Sequence, residues 1–287
     1  MTHEENERLL TLLSEYLCFQ PCGVSAETLS SLTADGLSLE DAYITALSAL
    51  LGLDPDVPAD WALQRGVLPR VIRRCMAEDY MQDAYLRRIG HAIGQIGQIT
   101  LTQDEIAPLE LFVLDDFEQL PDGSALPQLG WFETSFRFPA VKEDDRVWMT
   151  VTPNEINTIQ PCVKASRGRV LTFGLGLGYY AFHCLLKSDV DSVTVVEQNP
   201  DIIELFRTML LPHFPRPDAL QIIQADAFDY AKMHLQAYDT VFTDLWHDVS
   251  DGLPLYQRMK ALEVEGPKYL YWIEKTLKCY LPEESHE

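Results

Sequence analysis

Positive charge is scarce in this chain of 287 residues. Its 22 lysines and arginines stand against 44 aspartates and glutamates, a formal net charge of −22. Phosphate backbones and anionic lipid headgroups are held by cationic surface, so this imbalance argues against nucleic acid and membrane as partners. Small cations, neutral molecules and proteins stay open. Long apolar runs are missing as well: no stretch approaches about 18 uninterrupted apolar residues, so no transmembrane helix is expected. The opening Met1-Thr2-His3-Glu4-Glu5 lacks the basic start and apolar run of a signal peptide, which points to a cytoplasmic protein with reduced thiols. Metal-ligand spacing is absent too. Three residues, not two, separate Cys18 from Cys22, no second pair accompanies them, and no histidines stand as in H-E-x-x-H. No metal is expected, and Cys18 and Cys22 read as buried apolar residues.

What is present is the material of a globular protein, 47% hydrophobic and 23% charged, long enough for one large or two ordinary domains. The acid is uneven. Residues 1–50 carry eight acids and one base and residues 101–150 eleven and three, while 51–100 and 151–200 are each neutral. The first hundred residues read as helices. Leu9, Leu10, Leu12, Leu13, Tyr16 and Leu17 make one apolar face, and Ser38 caps a helix carrying Tyr43, Ile44, Leu47, Leu50 and Leu51. A third helical pattern uses Val71, Ile72, Cys75, Met76, Tyr80, Tyr85, Leu86 and Ile89. From about residue 97 strands are expected, at 99–101, at 109–114 and, after the acidic turn Glu143-Asp144-Asp145, at 146–151. Thr152-Pro153-Asn154-Glu155 then signals a helix start twice over, as a capping box and by proline at the first helical position. The expected division is a mainly helical domain over 1–128 and a second domain over 129–287.

Residues 168–244 alternate strand and helix: Arg169 to Phe173, then Gly174-Leu175-Gly176-Leu177-Gly178, a helix from Tyr179 to Leu186, and a strand at Ser192 to Val196 closing on Glu197. A helix from Pro200 to Leu211, a strand at Leu220 to Ile223 leading into Asp226-Ala227, a further helix and a strand ending in Asp244 complete βαβαβαβ. The fold class is α/β, a Rossmann-like parallel sheet with ligands beyond the strand ends. Glycines let the backbone turn sharply and approach a ligand beside the positive end of a helix, and an acid at the end of the next strand accepts from ribose hydroxyls. Glu197 lies 21 residues after Gly176, the spacing for that role. Gly176 to Ala181 also satisfies G-x-G-x-x-A, so the loop alone leaves a nicotinamide or flavin cofactor in contention.

Taken with Asp226-Ala227 after the third strand and Asp244 after the fourth, Gly174, Gly176, Gly178 and Glu197 resemble the cofactor site of the class I S-adenosylmethionine-dependent methyltransferase superfamily. The resemblance covers roughly residues 147–262. Val195 to Ile203 and Tyr238 to Asp244 are similar to the strand signatures of its spermidine synthase-like branch, and Leu255-Tyr256 stands where that branch has an aromatic pair. The resemblance implies S-adenosyl-L-methionine as cofactor. Gly174, Gly176 and Gly178 would lie at its methionine part, Glu197 at the ribose, Asp226-Ala227 at the adenine and Asp244 near the sulfonium. Asp244 and His247 are the candidate catalytic residues. Each also has a plainer reading: Asp226 and Asp244 as caps, His247 as a structural histidine, Trp246 as core.

The departures from that pattern matter. Aminopropyl-transferring members carry an acid in the glycine loop, where this chain has Leu177, and two acids three apart after the fourth strand, where Asp244 and Asp248 are four apart. Methyl transfer to a small-molecule acceptor, which the acidity allows to be cationic, is therefore expected over aminopropyl transfer to a polyamine. A nucleoside-cofactor sensor or scaffold without turnover is the third reading, and a homodimer is allowed. Residues after Asp244 read mainly as helix, 255–262 and 269–280, with 268–273 as an alternative strand. The sheet is thus expected to be abbreviated, or completed by strands from 99–151, with the acceptor pocket supplied by the N-terminal domain.

Overall fold

Ser25 and Ser38 each accept an amide hydrogen bond at a helix start, from Thr28 and Asp41, and the helices they open are among those that begin the chain. The computed structural model describes residues 2–19, 23–143 and 146–281, so Cys22 and the Asp144-Asp145 part of the acidic turn lie outside the described residues. In chain order the elements are α1 (His3–Phe19), α2 (Ala26–Ala34), α3 (Leu39–Leu50), α4 (Pro58–Ala62), α5 (Leu68–Val71), β1 (Ile72–Cys75), α6 (Ala77–Met81) and α7 (Ala84–Ile89). Next come β2 (Gly94–Ile96), β3 (Ile99–Ile106), β4 (Phe112–Gln119), β5 (Ala125–Phe132), β6 (Phe136–Glu143), β7 (Arg146–Thr150) and α8 (Pro153–Ala165). The remainder is β8 (Gly168–Phe173), α9 (Tyr179–Leu186), β9 (Val190–Glu197), α10 (Pro200–Leu205), β10 (Leu220–Gln224), α11 (Ala227–His234), β11 (Thr240–Thr243), α12 (Val249–Lys260), β12 (Lys268–Tyr271) and α13 (Glu274–Cys279).

Two compact units result, and the chain passes between them three times. One unit is Met1–Tyr80 with Glu105–Arg137; the other is Met81–Asp104 with Phe138–Glu287. The sequence suggested a single cut at 128/129.

In the first unit the helices pack on a three-stranded sheet of order β1-β5-β4. Leu9, Leu13, Tyr43, Leu47 and Trp131 are buried together, and the Tyr43 and Trp131 rings stack 4.2 Å apart and 3° from parallel. The Tyr43 hydroxyl donates to the Leu109 carbonyl at 3.0 Å, anchoring a residue with φ of 65°. That turn is why the strand expected from Leu109 starts only at Phe112. The single helix expected over 71–89 is broken into α5, β1, α6 and α7. Helical periodicity there loses to pairing, because Ile72 to Cys75 run parallel to Leu129 to Phe132. Cys18 is exposed, against expectation, because the apolar face of α1 is carried by Leu9, Leu13 and Tyr16.

In the second unit a five-stranded, wholly parallel sheet has the order β10-β9-β8-β11-β12. Val170, Leu171, Val193, Val195, Val241 and Phe242 are buried on its central strands, as a parallel sheet covered by helices on both faces requires. This is the expected Rossmann-like α/β arrangement, and the order reverses between β8 and β11, where such sheets open a crevice. Residues 268–271, expected mainly as helix, form β12. Thr240 to Thr243 offer a free edge, and Lys268 to Tyr271 pair along it. Strands from 99–151 do not complete this sheet. They join β1 in the three-stranded sheet above and β2 in a four-stranded one of order β2-β3-β6-β7. Among the described residues no helix is long and apolar enough to cross a membrane.

Candidate functional site

The carboxyl ends of β8, β9, β10 and β11 open on one cleft of about 620 Å³. Gly174, Gly176, Gly178, Glu197, Asp226, Ala227, Asp244 and His247 all line it. Its lining runs from Val147 to Trp272, within the second unit, so a wall expected from residues 1–128 comes instead from β7.

The glycine loop leaves β8 through a constriction. Gly174 has φ of 90°, and a Cβ there would stand 2.1 Å from the Asp244 carbonyl oxygen. That contact is with backbone, and the Asp244 amide itself donates to Phe173 O at 3.0 Å, so the two strand ends are locked edge to edge. Gly176, with φ of 52°, is different: a Cβ would meet only the Met149 sulfur at 3.8 Å. Gly178 caps α9, whose first amides face the loop. The loop is also tied from behind. Tyr85 on α7 donates its hydroxyl to the Leu177 carbonyl at 2.6 Å, and the Tyr179 hydroxyl donates to Asp83 at 3.0 Å. Asp83 in turn contacts His183 Nε2 at 3.1 Å and caps α7. Leu177 is buried, so the loop presents no side-chain charge.

Glu197 ends β9 and fixes the same loop. One carboxylate oxygen accepts the Leu175 amide at 3.1 Å and the other the Asn199 amide at 2.8 Å. A carboxylate offers about four lone-pair positions, so two amides leave acceptor capacity on both oxygens. Asp226 caps α11 by accepting the Asp229 amide at 2.9 Å, the plainer of its two readings, and it lines the cleft as well. Beside it, on Ala227's helix, Phe228 lies under the Arg258 guanidinium, 3.7 Å from the ring centre.

Asp244 receives no hydrogen bond on its carboxyl from any described residue. Burial, together with the nearby charge of Glu155, pushes it up to about 8. Glu155 is pushed up to about 7 by burial, against hydrogen bonds from the Thr152 amide at 2.6 Å and the Thr150 hydroxyl at 2.8 Å. The consequence for stability has a definite sign. A carboxyl whose native pKa lies above its unfolded value, about 4, favours the fold only while protonated, so stability falls as pH rises from about 4 through about 8. Asp244→Asn is expected to raise the melting temperature much more at pH 8.5 than at pH 5, where most of the parent's penalty has yet to build up. Calorimetry at the two pH values checks this, and an equal shift at both would contradict it.

His247 and Asp248 stand between Asp244 and α12. The imidazole Nδ1 contacts Asp251 at 3.0 Å, and the His247 and Asp248 amides donate to that same carboxylate at 3.1 and 3.0 Å. Asp248 caps α12 rather than forming a second acid beside Asp244. Trp246 is buried with its indole nitrogen unpartnered among the described residues. Among those residues no group of three or more histidine, cysteine or acidic side chains could hold a metal.

Sequence reasoning missed the wall made by Val147, Trp148 and Met149, and the Arg258–Phe228 pair. The strand was legible, but nothing local says that β7 folds over the loop. Leu255 and Arg258, three apart on α12, are the signal that was available for the second.

No family model matches the sequence, and no curated protein matches it. Solved structures do resemble the chain. A spermidine synthase from Thermotoga maritima is 15% identical with a TM-score of 0.36, over 65% of this chain and 59% of that one. A putative caffeoyl-CoA O-methyltransferase from Staphylococcus aureus is 18% identical with a TM-score of 0.30, over 37% and 50%. The glycopeptide N-methyltransferase MtfA, solved with S-adenosyl-L-methionine, is 21% identical with a TM-score of 0.29, over 39% and 51%. This chain thus spans about three fifths of the length of the spermidine synthase.

Proposed function

We propose that the chain is an S-adenosylmethionine-dependent methyltransferase acting on a small molecule. The observation that carries this reading is Glu197, held by the amides on either side of it in space, Leu175 in the glycine loop and Asn199 at the head of α10. A fixed carboxylate with spare lone pairs at that place suits a ribose diol, which has only donors to offer it. The rest of the cleft fits the same molecule. Gly176 leaves its face of the loop open, the start of α9 suits a carboxylate, and Asp226 can accept from an adenine amine while it caps α11. When bound, the cofactor supplies an electrophilic methyl carbon.

Leu177 favours methyl over aminopropyl transfer. A buried apolar side chain offers no charge to the extra ammonium-end contact of a decarboxylated cofactor, whereas the intact cofactor brings its own carboxylate to the α9 amides. The specific observation on the other side is Asp244, an unpartnered carboxyl in the cleft that could receive an amine. Calorimetry on the full chain separates them. S-Adenosylmethionine is expected to bind at least tenfold more tightly than its decarboxylated form. The reverse order would overturn methyl transfer, and heat from neither would overturn the cofactor itself.

A further inference from the structure

Two large side chains in the cleft wall are exposed without serving the nucleoside: Trp148 at 41% and Val147 at 47%. Both belong to β7. The Trp148 ring stands edge-on to the His247 ring, centroids 5.8 Å apart and planes at 72°. The imidazole is set by Asp251, which contacts Nδ1 at 3.0 Å and also takes the His247 backbone amide, so side chain and backbone of one residue are fastened to one carboxylate. That leaves Nε2 as the ring atom free for a ligand, in the arrangement of a base oriented by a third group. A base is needed when the nucleophile carries a proton it must lose, as a hydroxyl does.

We propose that Trp148, His247 and Asp251 form the acceptor subsite, and that the acceptor is a planar aromatic molecule carrying a hydroxyl. Trp148 supplies a flat apolar wall, His247 is the general base and Asp251 is its positioning residue. This rests on the methyltransferase reading. In the step, the acceptor oxygen forms a bond to the methyl carbon as the sulfur–carbon bond breaks, and that electron pair returns to sulfur, converting sulfonium to thioether. The hydroxyl proton goes to His247 Nε2 and then to water. The charge pattern agrees. Leu177 gives a polyamine no anchor, Asp251 is occupied by His247 and two amides, and burial holds Asp244 largely protonated at neutral pH.

The test uses the full chain, 2-naphthol and putrescine. In the presence of S-adenosylhomocysteine, 2-naphthol is expected to bind, to be weakened at least tenfold by Trp148→Ala and to be undisturbed by putrescine. No 2-naphthol binding, equal binding to the variant, or displacement by putrescine would each overturn the subsite. With labelled S-adenosylmethionine, His247→Gln is expected to slow methylation of 2-naphthol by about 10²-fold while its binding stays the same, the scale of general-base catalysis. Asp251→Asn is expected to lower kcat with little change in KM. Rates equal to the parent's in His247→Gln, or 2-naphthol bound but never methylated, would overturn the base. S-Adenosylhomocysteine calorimetry on the parent protein keeps the two readings apart. If it does not bind, the cofactor assignment has failed; if it binds while 2-naphthol does not, only the acceptor assignment has.

Discussion

Gly174→Ala is expected to destabilise the protein by about 2–5 kcal/mol, combining the strain of a positive φ for an L-residue with the cost of overpacking. The alanine Cβ would stand 2.1 Å from the Asp244 carbonyl oxygen and 3.2 Å from its carbon. Neither is the end of a flexible side chain. Relief requires β8 and β11 to separate, and that breaks the bond from the Asp244 amide to Phe173. Gly176→Ala is the control. It has a positive φ too, but its Cβ would meet only Met149 Sδ at 3.8 Å, so a loss of about 1–2 kcal/mol is expected. Urea unfolding of both variants checks the contrast, and equal losses would show that the strand ends are not locked as described.

Glu197→Ala is expected to weaken S-adenosylhomocysteine binding roughly 100-fold, about 2.7 kcal/mol. Two contributions add. Charge-assisted hydrogen bonds to ribose hydroxyls are worth about 1.5–3 kcal/mol, and the amides of Leu175 and Asn199 lose the acceptor that holds the loop in shape. Glu197→Gln keeps one carbonyl acceptor and is expected to fall between. Calorimetry with circular dichroism as a fold check measures both, and unchanged affinity in the alanine variant would remove Glu197 from the nucleoside site.

Much of the second unit was legible because its strands are buried on both faces and so read as continuous apolar runs between turn signals. Strands β8, β9, β10 and β11 and the start of α9 lie within two residues of where the sequence put them, and the capping box at Thr152 and Glu155 is present. Local chemistry writes those signals. The strand β1 was not legible because its four residues owe their conformation to β5, more than fifty residues on, and their apolar spacing alone resembles a helix. The same holds for β12, a short edge strand whose only strand partner among the described residues is β11. At the site, residue types gave the nucleoside-facing candidates, since glycines and strand-end acids are constrained by position along the chain. The residues of the proposed acceptor subsite come from β7, the turn before α12 and α12 itself, about a hundred residues apart, and no spacing rule links them.

The tie from α7 to the glycine loop joins residues far apart in the order of synthesis. Tyr85 and Leu177 are 92 residues apart, and Asp83 and Tyr179 are 96. A ribosome delivers Asp83 and Tyr85 well before the backbone they hold exists, and the first unit's segment Glu105–Arg137 emerges in between. Closing loops of that length is slow compared with forming local helices. The glycine loop therefore gains this tie late, so a nascent chain can form its early helices well before the cleft at the strand ends is held in shape.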